Sequence, residues 1–397
     1  MAIAKKTIQF VGRPVWAEIS LSALAANLRA IRKHIGAQRK VLAVVKANAY
    51  GHGAVTVAKT LRKAGADWLG VTCAAEGIEL RESGVTGPIL ILSGFWPGEE
   101  RSIVEHRLTP GITRIEQLRL LDRAAARARG KGHRAAAFPF HLKIDTGMTR
   151  LGIPFEEIDR FAAELANCQH LRQAGAFTHF AASEDFSVEQ TAQQEQLFTR
   201  ALARLRELGI DPGVVHASNS AAIVLRPSAW YDMVRPGALL YGYHQFYEPA
   251  SREEEARRTL PLEPALSLRA RIISLKEVPA GQGIGYNSRF VTQRPSRIAV
   301  IPAGYADCIV RTLSNRGRVL VGGRCAPIAG TVSMDLTMLD VTDIPKVQVG
   351  DVVTIFGASP DCKCQPIYAN DVARMLGTVT SDLLCSVGRR VPRLYQQ

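Results

Sequence analysis

Short apolar runs alternate with segments of helical periodicity from about Val41 to Gly242. The runs are VLAVVKA, DWLGVTC, PILILSGF, LTPGIT, FPFHLKIDTG, QAGAFTHFA, VVHASNSAA and MVRPGALLYG. Unbroken apolar runs bounded by Gly read as buried, parallel strands. Between them lie AVTVAKTLRKAG, AAEGIELRESG, RIEQLRLLDRAAARARG and QTAQQEQLFTRALARLRELG, which end at Gly and carry Arg or Lys in the last turn. Strand then helix, repeated eight times, predicts a (β/α)₈ TIM-type barrel. A helix over SLSALAANLRAIRKHIG, capped by Ser20 or Ser22, precedes the first strand.

Past Gly242 the texture changes. QFYEPASREEEARRTLPLEP reads as a polar, Pro-containing connection. LSLRARIISLKEV, PSRIAVIP, GRVLVGGRCAPIAG, DLTMLDVT and VQVGDVVTIFG then follow as short strands, with a hairpin turning at Gly322-Gly323. The expected division is a barrel over residues 14–256 and a mostly-β C-terminal domain over 257–397, to which residues 1–13 add a strand.

Composition changes little in this picture. With 397 residues, 47% hydrophobic and 22% charged, the chain is that of an ordinary globular protein. No apolar run approaches the roughly 18 residues a membrane helix needs. The N-terminus MAIAKKTIQFVGRPVW lacks the pattern of a signal peptide, so a cytoplasmic location without a membrane partner is expected. The net charge of +14 is spread along the chain without a recognised nucleic-acid motif, and reads as a solvated surface rather than a nucleic-acid partner. Seven scattered cysteines argue against a disulfide framework. Cys362 and Cys364 form a Cys-x-Cys with no second ligand pair at zinc spacing, so no metal is expected.

Chemistry on a TIM-type barrel sits at the C-terminal ends of the strands. The side chains falling there are Lys46, Lys143 with Asp145, His179, Asn219 with Ser220, and Arg235. Lys46 closes an apolar run, where a cation is either a salt-bridged structural residue or a reactive one. In company with a histidine, an arginine and a small hydroxyl it suits an anionic cofactor and carbonyl chemistry. Alone, His179 reads as an ordinary partly buried histidine and Lys143 as one half of a salt bridge with Asp145.

AVVKANAYGHG resembles the cofactor-lysine motif of bacterial alanine racemases. LKIDTGMTRLG, THFA, HASNSAA, VRPGALLYG, GIGYNSRF, IPAGYADC, GTVSMDLTMLD and RVPRLY follow in the family's order, across nearly the whole chain. The resemblance implies a homodimeric isomerase that uses pyridoxal 5'-phosphate to interconvert L- and D-alanine by two bases, supplying D-alanine for peptidoglycan. It implies Lys46 as the lysine that holds the cofactor and one base. Tyr286 is implied as the other, delivered from the partner subunit into a shared site.

A tyrosine, of reference pKa about 10, is a poor base near neutrality unless its phenolate is stabilised. The resemblance assigns that task to His179 and Arg235; the alternative for Tyr286 is a packing residue of the β domain. Arg235 would face the cofactor's ring nitrogen as a donor. Tyr50, Ser220, Gly237 and Ala238 match phosphate contacts, and Asn219 beside them is either a ligand or a turn residue. Lys143, often carbamylated in the family, would orient Arg150 toward the substrate; Tyr305, Met334 and Asp335 match residues that close the pocket.

Three positions depart from the pattern: Ser381 stands for a phosphate-contacting Tyr, Ser333 for a Cys and Thr149 for a Gly. Rival readings are a racemase of broader amino-acid specificity, a decarboxylase of the same plan and a non-catalytic carrier of the cofactor.

Overall fold

The computed structural model describes residues 12–129, 137–357 and 365–397. Cys362 and Cys364 therefore lie outside the described residues, as does most of the strand expected from residues 1–13. The chain divides into two compact units, one spanning Leu21–Glu263 and the other joining the N-terminal segment up to Ser20 to Pro264–Gln397.

The first unit is a nearly closed, eight-stranded parallel barrel. In order its strands are Lys40–Val44, Trp68–Val71, Ile89–Ile91, Thr109–Ile112, Phe138–Asp145, Leu171–Phe177, Val214–His216 and Met233–Val234. Each pairs with the next as far as the seventh, and the eighth returns to the first through Met233–Lys40 and Val234–Val41. The strands are short and buried on both faces, which explains why they read as continuous apolar runs.

No ladder joins the seventh strand to the eighth, and Asp232 bridges that seam instead. Its carboxylate accepts from the Val215 N–H at 2.8 Å and its own N–H donates to the Val215 carbonyl at 3.0 Å. Its carbonyl accepts from the Lys40 N–H at 2.8 Å, so one residue ties three strands together. The helix Leu21–Ile35 packs on this unit through Leu24, Leu28, Ile31 and Ile35, one face at the helical period.

One connection differs from expectation. Within residues 245–264, Ser251–Thr259 forms a helix. Its polarity hides the core-facing period, since only Ala256 is buried. What supports it is charge placement: Glu253 and Glu254 in the first turn, Arg257 and Arg258 in the last, and an Arg257–Glu253 pair one turn apart.

The second unit is mostly β. A six-stranded sheet runs in the order Arg324–Pro327, Arg318–Val321, Val352–Phe356, Leu266–Arg271, Val15–Ser20 and Arg393–Gln396, so both ends of the chain contribute strands. A three-stranded antiparallel sheet is formed by Ser274–Val278, Ser296–Ile301 and Thr337–Asp340. The hairpin at Gly322-Gly323 is present with both φ angles positive, 54° and 73°, the mirror-image turn that only Gly adopts without strain. Among the described residues no helix is long and apolar enough to cross a membrane.

Candidate active site

Lys46 stands at the rim beyond the first barrel strand, half-buried. The four residues after it, Ala47 to Tyr50, have φ of 52°, 53°, 53° and 52° and make one left-handed turn without a glycine. Each such residue costs about 1–2 kcal/mol, so the turn must be held by its surroundings. Glu76 holds its start: one carboxylate oxygen accepts from the Ala47 N–H and the other from the Thr72 N–H, both at 2.7 Å. Asn48 then accepts from the Ala54 N–H at 2.8 Å, where the helix Ala54–Lys63 begins. The turn carries Tyr50 back over the rim, where its ring packs on the buried Tyr241, whose hydroxyl donates to the Val44 carbonyl at 2.9 Å.

Tyr50 meets the loop after the eighth strand at Gly237. A Cβ added at Gly237 would lie 2.5 Å from the Tyr50 hydroxyl, so glycine lets that hydroxyl approach the backbone closely. The Gly237 N–H donates to the Ser220 hydroxyl at 2.9 Å. Tyr50, Ser220 and Gly237 thus converge, with Ala238 opening the next helical turn. Asn219 serves as the cap of the helix Ser220–Leu225: its side-chain oxygen accepts from the Ala222 N–H at 3.1 Å and from the Ser183 hydroxyl at 2.8 Å. Of the two alternatives for Asn219, that oxygen performs the turn role.

Arg235 lies deeper, 4% exposed, and is the hub of the rim. Its Nη2 donates to the carbonyls of Thr178 and Ala217 at 2.7 and 2.8 Å and faces His179 Nδ1 at 3.2 Å. Its Nη1 donates to His216 Nδ1 at 3.0 Å, and His216 Nε2 lies 2.9 Å from His141 Nδ1. Every partner is neutral, and burial lowers the guanidinium pKa to about 9, which still leaves it charged near neutrality. Among the described residues nothing accepts from its Nε. Burial first, then the charge of Arg235, holds both His179 and His216 well below the usual histidine range.

Lys143 is buried on the fifth strand, donating to the Leu92 carbonyl at 3.3 Å. Burial, then Arg235 and Arg150, bring its pKa down to about 8, with Lys46 adding to the effect. The salt bridge to Asp145 is not formed. Asp145 instead accepts from the backbone N–H groups of Gly147, Met148 and Thr149 at 3.0–3.1 Å, shaping the loop that carries the exposed Arg150. Thr149 has φ of 55°, a conformation that suits glycine and strains a β-branched residue.

The remaining expected residues lie on the second unit. Tyr286, Tyr305 and Met334 are large side chains left 68%, 43% and 52% exposed. The loops of Tyr305 and Met334 are joined through backbone: the Tyr305 N–H donates to the Ser333 carbonyl at 3.0 Å and the Ala306 N–H to that of Met334 at 3.1 Å. Gly304 permits this approach, since a Cβ there would strike the carbonyl oxygens of Ser333 and Met334.

A buried carboxylate, Asp307, anchors the cluster. It receives paired donors from Arg13 and Arg390, and Arg390 also donates to Asp335 at 2.7 Å. Burial alone would raise the Asp307 pKa; the two arginines and the Gly304 N–H overcome it and hold the carboxyl below its usual range. Asp335 is therefore paired within its own unit. Ser381 sits in the helix Thr380–Cys385, half-buried.

Residues 19–245 match the alanine racemase N-terminal domain and residues 265–395 the alanine racemase C-terminal domain. The chain belongs to the alanine racemase family. It is 40% identical over 386 residues to alanine racemase of Halothermothrix orenii, covering 97% of this chain and 98% of the relative. The alanine racemase of Synechocystis is 40% identical over 381 residues, covering 96% and 98%. Among solved structures, alanine racemase of Clostridium difficile superposes with a TM-score of 0.88 at 34% identity, covering 98% of this chain and 97% of that one. The alanine racemase of Bacillus anthracis with bound L-Ala-P gives 0.87 at 33% identity, covering 98% and 96%.

The family motifs point to Arg235 and Lys143; His216 and Asp307 stand inside HASNSAA and IPAGYADC without an assigned role, and His141 and Glu76 lie outside the motifs. The period of 2 along FPFHLKID does put His141 on the same face as Lys143, a signal open to sequence reading. The strain at Thr149 generates a prediction: Thr149→Gly should raise stability by about 1 kcal/mol, because relief of the left-handed threonine exceeds the added freedom of the unfolded chain. Urea denaturation of the two proteins side by side measures this, and an unchanged or lower midpoint would mean the threonine is not strained.

Proposed function

We propose that this chain is an alanine racemase that binds pyridoxal 5'-phosphate at the barrel rim and moves the Cα proton of alanine with Lys46 and Tyr286. The observation that carries the reading is a buried guanidinium, Arg235, whose Nε has no acceptor among the described residues, on one rim with Lys46 and with a glycine, Gly237, against which the Tyr50 and Ser220 hydroxyls converge. These features fit the cofactor: an amine for its carbonyl carbon, small residues and hydroxyls of Tyr50 and Ser220 for its phosphate, and a donor for its ring nitrogen. Bound there, pyridoxal phosphate would supply the electron sink that makes the Cα–H of an amino acid acidic.

The chain's own groups do the rest. Arg235 only donates, so it would hold the cofactor's ring nitrogen as an unprotonated acceptor. Lys46, at the rim beyond the first strand, would give and take a proton on one face of Cα. Tyr286, exposed on its own subunit, is suited to serve the opposite face in a second copy of the chain, with Tyr305, Met334 and Asp335 closing the pocket beside it. His179 carries its proton on Nε2, because Nδ1 faces Arg235, and so would offer a donor to the Tyr286 oxygen. The homodimer, the cytoplasmic setting and the supply of D-alanine for peptidoglycan belong to this reading.

Lys143 as a carbamate also belongs to it. Only a neutral amine adds CO2, and a pKa of about 8 leaves a usable neutral fraction near neutrality. The change from cation to anion would then be stabilised by Arg235, Arg150 and Lys46, the charges that depress the amine. In 13C-bicarbonate, a carbamate carbon signal is expected in the protein and should vanish in Lys143→Arg; a spectrum with no protein carbamate would leave Lys143 a plain amine.

The reaction is tested by chiral analysis of L-alanine incubated with the protein and added pyridoxal phosphate. Enantiomers should approach equal amounts, and Lys46→Ala and Tyr286→Phe should each lose most turnover. Mixed after subunit exchange, the two variants should regain activity through one intact site per heterodimer. Absence of D-alanine with bound cofactor would refute the substrate, and no rescue in a verified heterodimer would refute the shared site.

A further inference from the structure

Arg235 favours one proton position on each histidine that it faces. A guanidinium donates and never accepts. His216 Nδ1, 3.0 Å from Arg235 Nη1, therefore bears no proton, and since burial keeps this ring neutral its one proton is on Nε2. That Nε2–H donates to His141 Nδ1 at 2.9 Å. His141 is buried and neutral, its pKa brought down to about 3 chiefly by burial, so its own proton must also be on Nε2. His179, facing Arg235 through Nδ1, follows the same rule.

The far end of this chain is unusual. His141 Nε2 is buried and has no hydrogen-bond partner among the described residues. An unmet buried donor opposes folding, and an apolar side chain would avoid it. Room is nonetheless made for the ring: a Cβ at Gly175 would lie 2.5 Å from both His141 Nδ1 and Cε1. Trp68 packs on it with ring centroids 5.1 Å apart. The imidazole is thus seated with one nitrogen unmet and the other aimed at His216.

We propose that His141 is a positioning residue: by accepting at Nδ1 it locks His216 as the Nε2–H tautomer and so keeps a neutral acceptor against Arg235 Nη1. Without that acceptor the Nε2–H of His216 becomes a buried, unmet donor, and this cost competes with the preference Arg235 imposes. A ring carrying its proton on Nδ1 would face Arg235 donor against donor and displace the guanidinium. The consequence for catalysis rests on the reading that Arg235 serves the cofactor ring; the tautomer lock does not.

The experiment compares His141→Leu with His141→Asn, whose side-chain oxygen can replace the lost acceptor, in pyridoxal-phosphate-loaded protein. The 15N spectrum of histidine-labelled protein reports which ring nitrogen of His216 is protonated, with His216→Gln used for assignment. The Leu variant should lose the pure Nε2–H signature of His216, while the Asn variant should retain it. For alanine racemisation, kcat should fall roughly 5- to 100-fold in the Leu variant with KM within about threefold, and the Asn variant should recover most of it.

Should the Leu variant not fold, Gly175→Ala, which displaces the ring, carries the same two readouts. A His216 that stays Nε2–H in the Leu variant, or Leu and Asn variants of equal activity, would overturn the proposal. A correct tautomer shift in a protein that does not racemise alanine would instead fault the functional reading.

Discussion

A cation buried without a carboxylate governs this molecule. Arg235 is held by two carbonyls and two imidazoles, and removal from water lowers its pKa to about 9 without discharging it near neutrality. A lone charge in a protein interior is tolerated only when hydrogen-bonded, and here each acceptor is neutral. The rest of the rim adjusts to that charge. Histidines near it stay neutral and orient their lone pairs inward, and Lys143 becomes an amine poised between its two protonation states. A carboxylate at the same place would have cancelled the field that sets these states.

The barrel supplies the rigidity this arrangement requires. His179 and His216 approach Arg235 from the ends of neighbouring strands, and Asp232 fastens the seam just before Arg235 leaves the eighth. Lys46 is placed by different means, a left-handed turn whose strain is offset by Glu76 and Asn48. On the second unit, Asp307 performs the corresponding task, gathering arginines from both ends of the chain beneath the Tyr305 and Met334 loops.

Much of this was legible in the sequence, and the limits have physical causes. Both-face burial makes parallel strands conspicuous, so the runs from VLAVVKA to MVRPGALLYG marked the barrel, and Gly322-Gly323 marked the hairpin of the second unit. The helix Ser251–Thr259 escaped because ion pairs support it in place of an apolar stripe. The left-handed turn escaped because its four residues include no glycine, the usual sign of positive φ. His141 and His216 stand 75 residues apart, and Arg13 and Asp307 stand 294 apart. Pairings at such separations are set by topology, so the motifs named the rim residues while the groups behind them became visible only in three dimensions.

The measurement that bears most directly on the role of Arg235 is the 15N chemical shift of bound pyridoxal phosphate labelled at its ring nitrogen. A donor-only guanidinium opposite that atom predicts the shift of a hydrogen-bonded, unprotonated pyridine, unchanged from about pH 6 to 8 because Arg235 titrates near 9. A pyridinium shift anywhere in that range would contradict the account, since the nitrogen would then face an acceptor and Arg235 would have some other task.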